Sequence, residues 1–149
     1  MKQFNLTSQP GFSFLEIMLA ISLMIIIALV GVNAFGQVKN QEDLAATALH
    51  IVQILNTARS NSIAGKQNSA WKVVLETTKV SLKNNQDIIT EEYYLPPNHT
   101  LFSPLSEIVF AKADGRVQSC QTGCLVEIRK IDTDLSHQFK VLFSGVIEY

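Results

Sequence analysis

Cys120 and Cys124, in "CQTGC", are the only cysteines in a chain of 149 residues. Two thiols at this spacing can close a disulfide, work as a redox pair, or supply half of a zinc site. Zinc needs four ligands at suitable spacing, and His99 and His137 are isolated, so no metal is implied. A redox pair ordinarily spaces its cysteines by two residues, whereas three lie between these. A tight loop containing Gly123 can bring the two β-carbons within bonding reach. His50, His99 and His137 have no nucleophile or carboxylate arranged around them and read as surface or half-buried side chains. Asp132 and Asp134 offer two oxygens to a calcium ion that takes six or more, so they read as a solvated turn. Arg116, Arg129, Lys130 and Lys140 form a basic patch for phosphate contact only if their strands adjoin. No phosphate-cradling glycine loop, HExxH or GxSxG is present. Neither an enzyme nor a cofactor is expected.

Glu16 is out of place by type. It stands near the start of "GFSFLEIMLAIS", the opening of an apolar run that continues to Phe35. A carboxylate inside a bilayer costs roughly 2.5–3.5 kcal/mol on insertion scales, so it calls for a partner. The formal charge is −1, from 12 basic and 13 acidic side chains, which gives no general pull toward nucleic acid. The apolar fraction of 47% is ordinary, but its distribution is not: "IMLAISLMIIIALVGV" carries one hydroxyl and no charge. The run exceeds the ~20 residues that a crossing helix needs. It reads as a plain single-pass anchor, or as a signal peptide cleaved at Val32-Asn33-Ala34, or as a segment with a further purpose.

The third reading rests on Gly11-Phe12 followed by Glu16 at the head of the run. This pattern resembles the processing site of type IV prepilins and pseudopilins. The resemblance implies that a prepilin peptidase cuts between Gly11 and Phe12 on the cytoplasmic side and methylates the new amino terminus of Phe12. Residues 1–11 would be a leader, and 12–35 the transmembrane and filament-core segment of a single-pass inner-membrane protein. It also implies a partner for Glu16: in pilin-like filaments this carboxylate meets the amino terminus of a neighbouring subunit, which neutralises both charges and sets register. Other subunits and an inner-membrane assembly platform are the implied partners. The chain departs from the family pattern at Ser8-Gln9-Pro10, where a basic residue is common. It also lacks any proline between Phe12 and Leu95, where many major pilins break the helix. With the head outside the cytoplasm, Cys120 and Cys124 are expected as a disulfide that stiffens a hairpin tip. Some related minor pilins bind DNA during uptake; here Arg116, Arg129 and Lys130 are the candidate contacts, although "DGRVQ" places Gln118 where that pattern has a base.

The elements that must position these residues are legible in the spacing. Leu44, Ala48, Ile51, Leu55, Ala58 and Ser62 recur at helical steps, with Ala45, Leu49 and Val52 on an adjoining line. Gln41, Asp43, Thr47, His50, Asn56 and Lys66 fill the opposite face. Residues 36–65 therefore read as an amphipathic continuation that Gly65 stops. As one helix, residues 12–64 would span about 80 Å at 1.5 Å per residue.

Beyond Gly65 the period changes to two. Trp71, Val73 and Leu75 share a face, and "KVSLK", "EIVFA", "CLVEIRKI", "QFKVLF" and "VIEY" follow between turns. Residues 66–149 thus read as a β-rich head, which the prepilin resemblance implies is extracytoplasmic. "TEEYYLPPNHTLFSP" is expected to be an irregular surface connection, because Pro96-Pro97 excludes a central strand. "IVFAKADGRV", "FKVLFSGVIEY" and, loosely, "ARSNSIAGKQ" resemble the H-type pseudopilin and related minor-pilin heads. The expected fold is α+β: a long amino-terminal helix packed on a carboxy-terminal antiparallel sheet. The expected role is that of a minor (pseudo)pilin of a type II secretion pseudopilus or type IV pilus. The alternative is a DNA-binding minor pilin of a competence pilus.

Overall fold

The computed structural model describes residues 12–131 and 133–148, and leaves aside the side chains at 30–35 and 37. Gly11 with its leader, Asp132, and the side chains of Val32-Asn33-Ala34 lie outside the described residues. The chain divides into two compact units, Met1–Lys39 and Asn40–Tyr149.

Helix α1 covers Phe14–Ile63. It opens where the Ser13 carbonyl accepts the amides of Glu16 and Ile17, at 3.0 and 3.2 Å. Within the first unit every described side chain from Phe12 to Leu29 is exposed. The hydroxyl of that stretch is already satisfied, since Ser22 Oγ donates to the Met18 carbonyl at 2.8 Å. Among the described residues, no helix is long and apolar enough to cross a membrane; positions 30–35, which complete the run in sequence, are among those left aside.

In the second unit the helix buries Leu44, Thr47, Ala48, Ile51, Val52, Ile54, Leu55, Ala58 and Ser62. All six positions of the main expected line are therefore inside. Thr47 was expected on the polar face and is buried, because its hydroxyl donates to the Asp43 carbonyl one turn back at 2.9 Å. With that donor satisfied, the γ-methyl is free to pack. Ala45 and Leu49 remain exposed: the buried stripe is centred on the 44–48–51–55 line.

Eight strands follow: β1 (Trp71–Leu75), β2 (Lys79–Asn84), β3 (Ile89–Tyr94), β4 (His99–Phe102), β5 (Glu107–Phe110), β6 (Cys124–Lys130), β7 (Ser136–Val141) and β8 (Ile147–Glu148). They pair as two antiparallel four-stranded sheets rather than one, in the orders β3-β2-β1-β5 and β4-β6-β7-β8. The helix stripe and both sheets enclose one core, in which Trp71, Phe110 and Phe139 are the largest fully buried side chains. The stretch expected to be an irregular connection holds two strands, β3 and β4. Pro96 and Pro97 fall between them, and each strand is an edge, so no ladder hydrogen bond is lost to proline.

Ser62 joins helix to sheet. Its hydroxyl donates to the Phe110 carbonyl at 3.1 Å and accepts the Trp71 amide at 2.9 Å. A small side chain at this helix position lets β1 and β5 approach closely enough for both bonds.

Candidate functional site

The first unit offers one surface of evident consequence. Helices that are apolar on every side are buried in protein or lipid, yet Phe12 is 81% exposed, Met24 75% and Leu29 66%. Exposed apolar surface on this scale marks an interaction site. Within it Glu16 is the acidic residue of the first helical turn. Ser13-Phe14-Leu15-Glu16 also has the spacing of a capping box, a signal present in the sequence. A carboxylate there is favoured by the partial positive charge of the helix amino terminus. Its side chain makes no hydrogen bond or ion pair with any described residue. It is thus available to a cation supplied from elsewhere.

In the second unit Cys120 and Cys124 are bonded, with Cα atoms 5.1 Å apart. The bond is not at a hairpin tip. It joins a 3-10 turn at Gln118–Cys120 to the first residue of β6, with both cysteines buried. The Gly123 amide donates to the Cys120 carbonyl at 2.9 Å and closes the turn. The disulfide therefore fixes the entry of β6 into the core. A loop this short contributes roughly 2 kcal/mol or less on the chain-entropy account.

Among the candidate phosphate contacts, Arg129 and Lys130 do not share a face. Arg129 and Lys130 are successive strand residues and point to opposite faces of their sheet. Arg129 donates to Glu127 at 2.9 Å and lies 5.0 Å from the Phe102 ring centroid. That bond, with help from Gln138 and Ser136, holds the Glu127 carboxyl down to about 2. Lys130 instead reaches the helix: its Nζ donates to Asn40 Oδ1 at 2.8 Å and lies 3.7 Å from Asp43. Arg116 pairs with Asp114 at 3.5 Å and covers the Phe143 ring. Each of the three cations thus already has a carboxylate.

His99 departs from the surface or half-buried reading. It is 4% exposed, and neither ring nitrogen has a partner. It lines a cavity of about 430 Å³ with Asp43, Thr47, His50, Tyr93 and Pro96. Burial pushes its pKa below the ordinary value; Lys130 adds to this and Asp43 opposes it. His50 lines the same cavity, its ring 4.2 Å from that of Tyr93 and tilted 43° to it. Because the folded-state pKa lies below the unfolded one, the unfolded chain binds the extra proton. The head should therefore hold its full stability above pH ~6.5 and lose it as pH falls from there toward the folded-state value, by at most about 1.4 kcal/mol per pH unit. His99→Leu should flatten this dependence in melts between pH 7 and pH 5 without loss at pH 7, since an unpaired polar ring gives way to an apolar one. An unchanged acid slope in the variant would assign the sensitivity to another group. Among the described residues no group of histidine, cysteine and carboxylate side chains could hold a metal ion.

A helix laid against antiparallel strands, α+β throughout, is the arrangement of the pilin-like fold. The likeness is carried by the minor pseudopilin EpsH from the Type 2 Secretion System of Vibrio cholerae, at TM-score 0.56 and 13% sequence identity, over 71% of this chain and 94% of that one. At that identity the similarity is one of fold. No protein-family model matches the chain, and no curated protein matches it.

Proposed function

We propose that this chain is a prepilin-like structural subunit, a minor (pseudo)pilin of a type II secretion pseudopilus or type IV pilus. Residues 1–11 are the leader, cut after Gly11 by a prepilin peptidase that methylates Phe12. Residues 12–35 anchor the precursor once in the inner membrane, with the head outside the cytoplasm. From there an assembly platform moves the subunit into a filament beside other pilins or pseudopilins. The observation that carries this reading is the exposed apolar stretch from Phe12 to Leu29, in a chain whose head completes its own core. A self-sufficient head needs no such helix for stability, so the helix is there to be covered by lipid or by other helices. The pilin-like fold of the solved relative supports the same reading. DNA binding gains no support from the head, where Arg116, Arg129 and Lys130 are each paired with a carboxylate.

The amino terminus of the mature protein tests the proposal. Mass spectrometry should find N-methylated Phe12 as the first residue, and Gly11→Ala should leave the full-length precursor in the membrane. A mature chain beginning at Phe35 would make the run a discarded signal peptide and remove the basis for a filament.

A further inference from the structure

The chain has three arginines, and one of them is unlike the others. Arg116 and Arg129 each pair with a carboxylate and stand over an aromatic ring. Arg59, on the helix, makes no hydrogen bond or ion pair with any described residue, and its buried Nε has no acceptor. Yet it is not a loose surface side chain. Its stem is held between two turns, one at Gly115 and one at Gly145, both in the left-handed region at φ 65° and 75°. A β-carbon on Gly115 would lie 3.1 Å from Arg59 Cγ; one on Gly145 would lie 3.1 Å from Nε and would collide with the Gly115 carbonyl. The turns can close on the stem only because these positions carry no side chain. Arg59 also lines a surface cavity of about 340 Å³ with Asn56, Ser60, Ile63 and Ala64.

We infer that this cavity receives a carboxylate side chain from a neighbouring protein subunit. The inference rests on the filament reading, since that reading supplies the neighbour. The chemistry of the pocket selects the occupant. A guanidinium offers a planar fork of donors that matches a carboxylate, and a stem already immobilised loses little freedom on pairing. Asn56 and Ser60 flank the charge with further donors, and Ile63, 46% exposed, offers an apolar contact beside it. A membrane surface or a nucleic acid is held by clusters of basic residues, and this cavity presents one charge. A single acidic side chain with an apolar neighbour fits what the pocket offers.

The test uses the full chain in its own cells, with a photo-cross-linking residue at Ser60 and, separately, at Leu23 in the apolar run. The Ser60 probe should capture one neighbouring subunit. Arg59→Gln should cut that adduct at least tenfold without lowering the melting temperature, and Arg59→Lys should give an intermediate yield. Arg59→Glu combined with an acid-to-arginine change in the captured subunit should restore the adduct. That swap decides the matter even if Arg59→Gln perturbs the fold. Leu23 adducts alongside absent or Arg59-independent Ser60 adducts would overturn this inference and leave the filament standing. Loss of the Leu23 adducts as well would bring down the filament reading itself.

Discussion

Glu16→Gln should yield a protein that is inserted and processed normally but is missing from filaments. The substitution keeps size and hydrogen-bonding capacity and removes only the charge. From Ile17 to Val32 the run has no cation, and no described residue pairs with the carboxylate. Lys39 lies about 35 Å further along a helix at 1.5 Å per residue. On the proposed reading, cleavage before Phe12 would expose the one amine able to neutralise it among packed apolar helices, and in a filament that amine would come from an adjacent subunit. Glutamine cannot, so the neighbour's amine is left unpaired, a defect worth about 3–5 kcal/mol when one partner of a buried pair is removed. Cross-linking to other filament subunits should fall by two or more orders of magnitude. Undiminished incorporation would show that Glu16 serves only the helix amino terminus to which its position in the Ser13–Glu16 pattern also suits it.

Trp71→Ala should cost the head about 3–5 kcal/mol, as for other fully buried large side chains. Trp71 is wholly buried and opens β1. Its amide donates to Ser62 Oγ, and its indole donates to the Lys66 carbonyl at 3.2 Å. The ring therefore fills the core where helix, turn and both neighbours of β1 converge. Alanine removes the packing and the indole bond together and leaves a cavity. Set against the 5–15 kcal/mol typical of a whole domain, the loss is large. Denaturant unfolding followed by circular dichroism should show it; the change also deletes the chain's single tryptophan, so fluorescence cannot. A loss below 1 kcal/mol would mean that the core closes over the gap.

How far such features could be read in advance depended on how local their causes are. The helix stripe was legible because Leu44, Ala48, Ile51, Leu55, Ala58 and Ser62 follow the helix period, and β1 because Trp71, Val73 and Leu75 alternate. β3 hid because it is an edge strand: nearly all of "ITEEYY" faces water, so no alternation marks it. β4 hid because it is short and follows Pro96-Pro97. The apolar run with Glu16 could be seen directly. The cysteine pair was visible, but not its burial, which depends on where β6 enters the core. Arg59 and His99 could not be found, because what makes them unusual comes from far along the chain. Arg59 is framed by turns at Gly115 and Gly145, and His99 is crowded by Lys130 and Asp43.

The order in which strands enter the two sheets sets how this head can fold. β3 and β5 belong to one sheet, while β4, between them in sequence, belongs to the other. β5 pairs only with β1, across the whole of β2, β3 and β4; β4 pairs only with β6, which the chain has yet to reach. A nascent chain ending at Phe110 thus has four strands of one sheet and a fifth with nothing to bond. The second sheet cannot begin with β4 until β6 has emerged, nor the first be sealed without carrying β4 past it. The threading and the single shared core tie the two sheets to each other. The head is therefore complete only once β6, β7 and β8 have been made and paired.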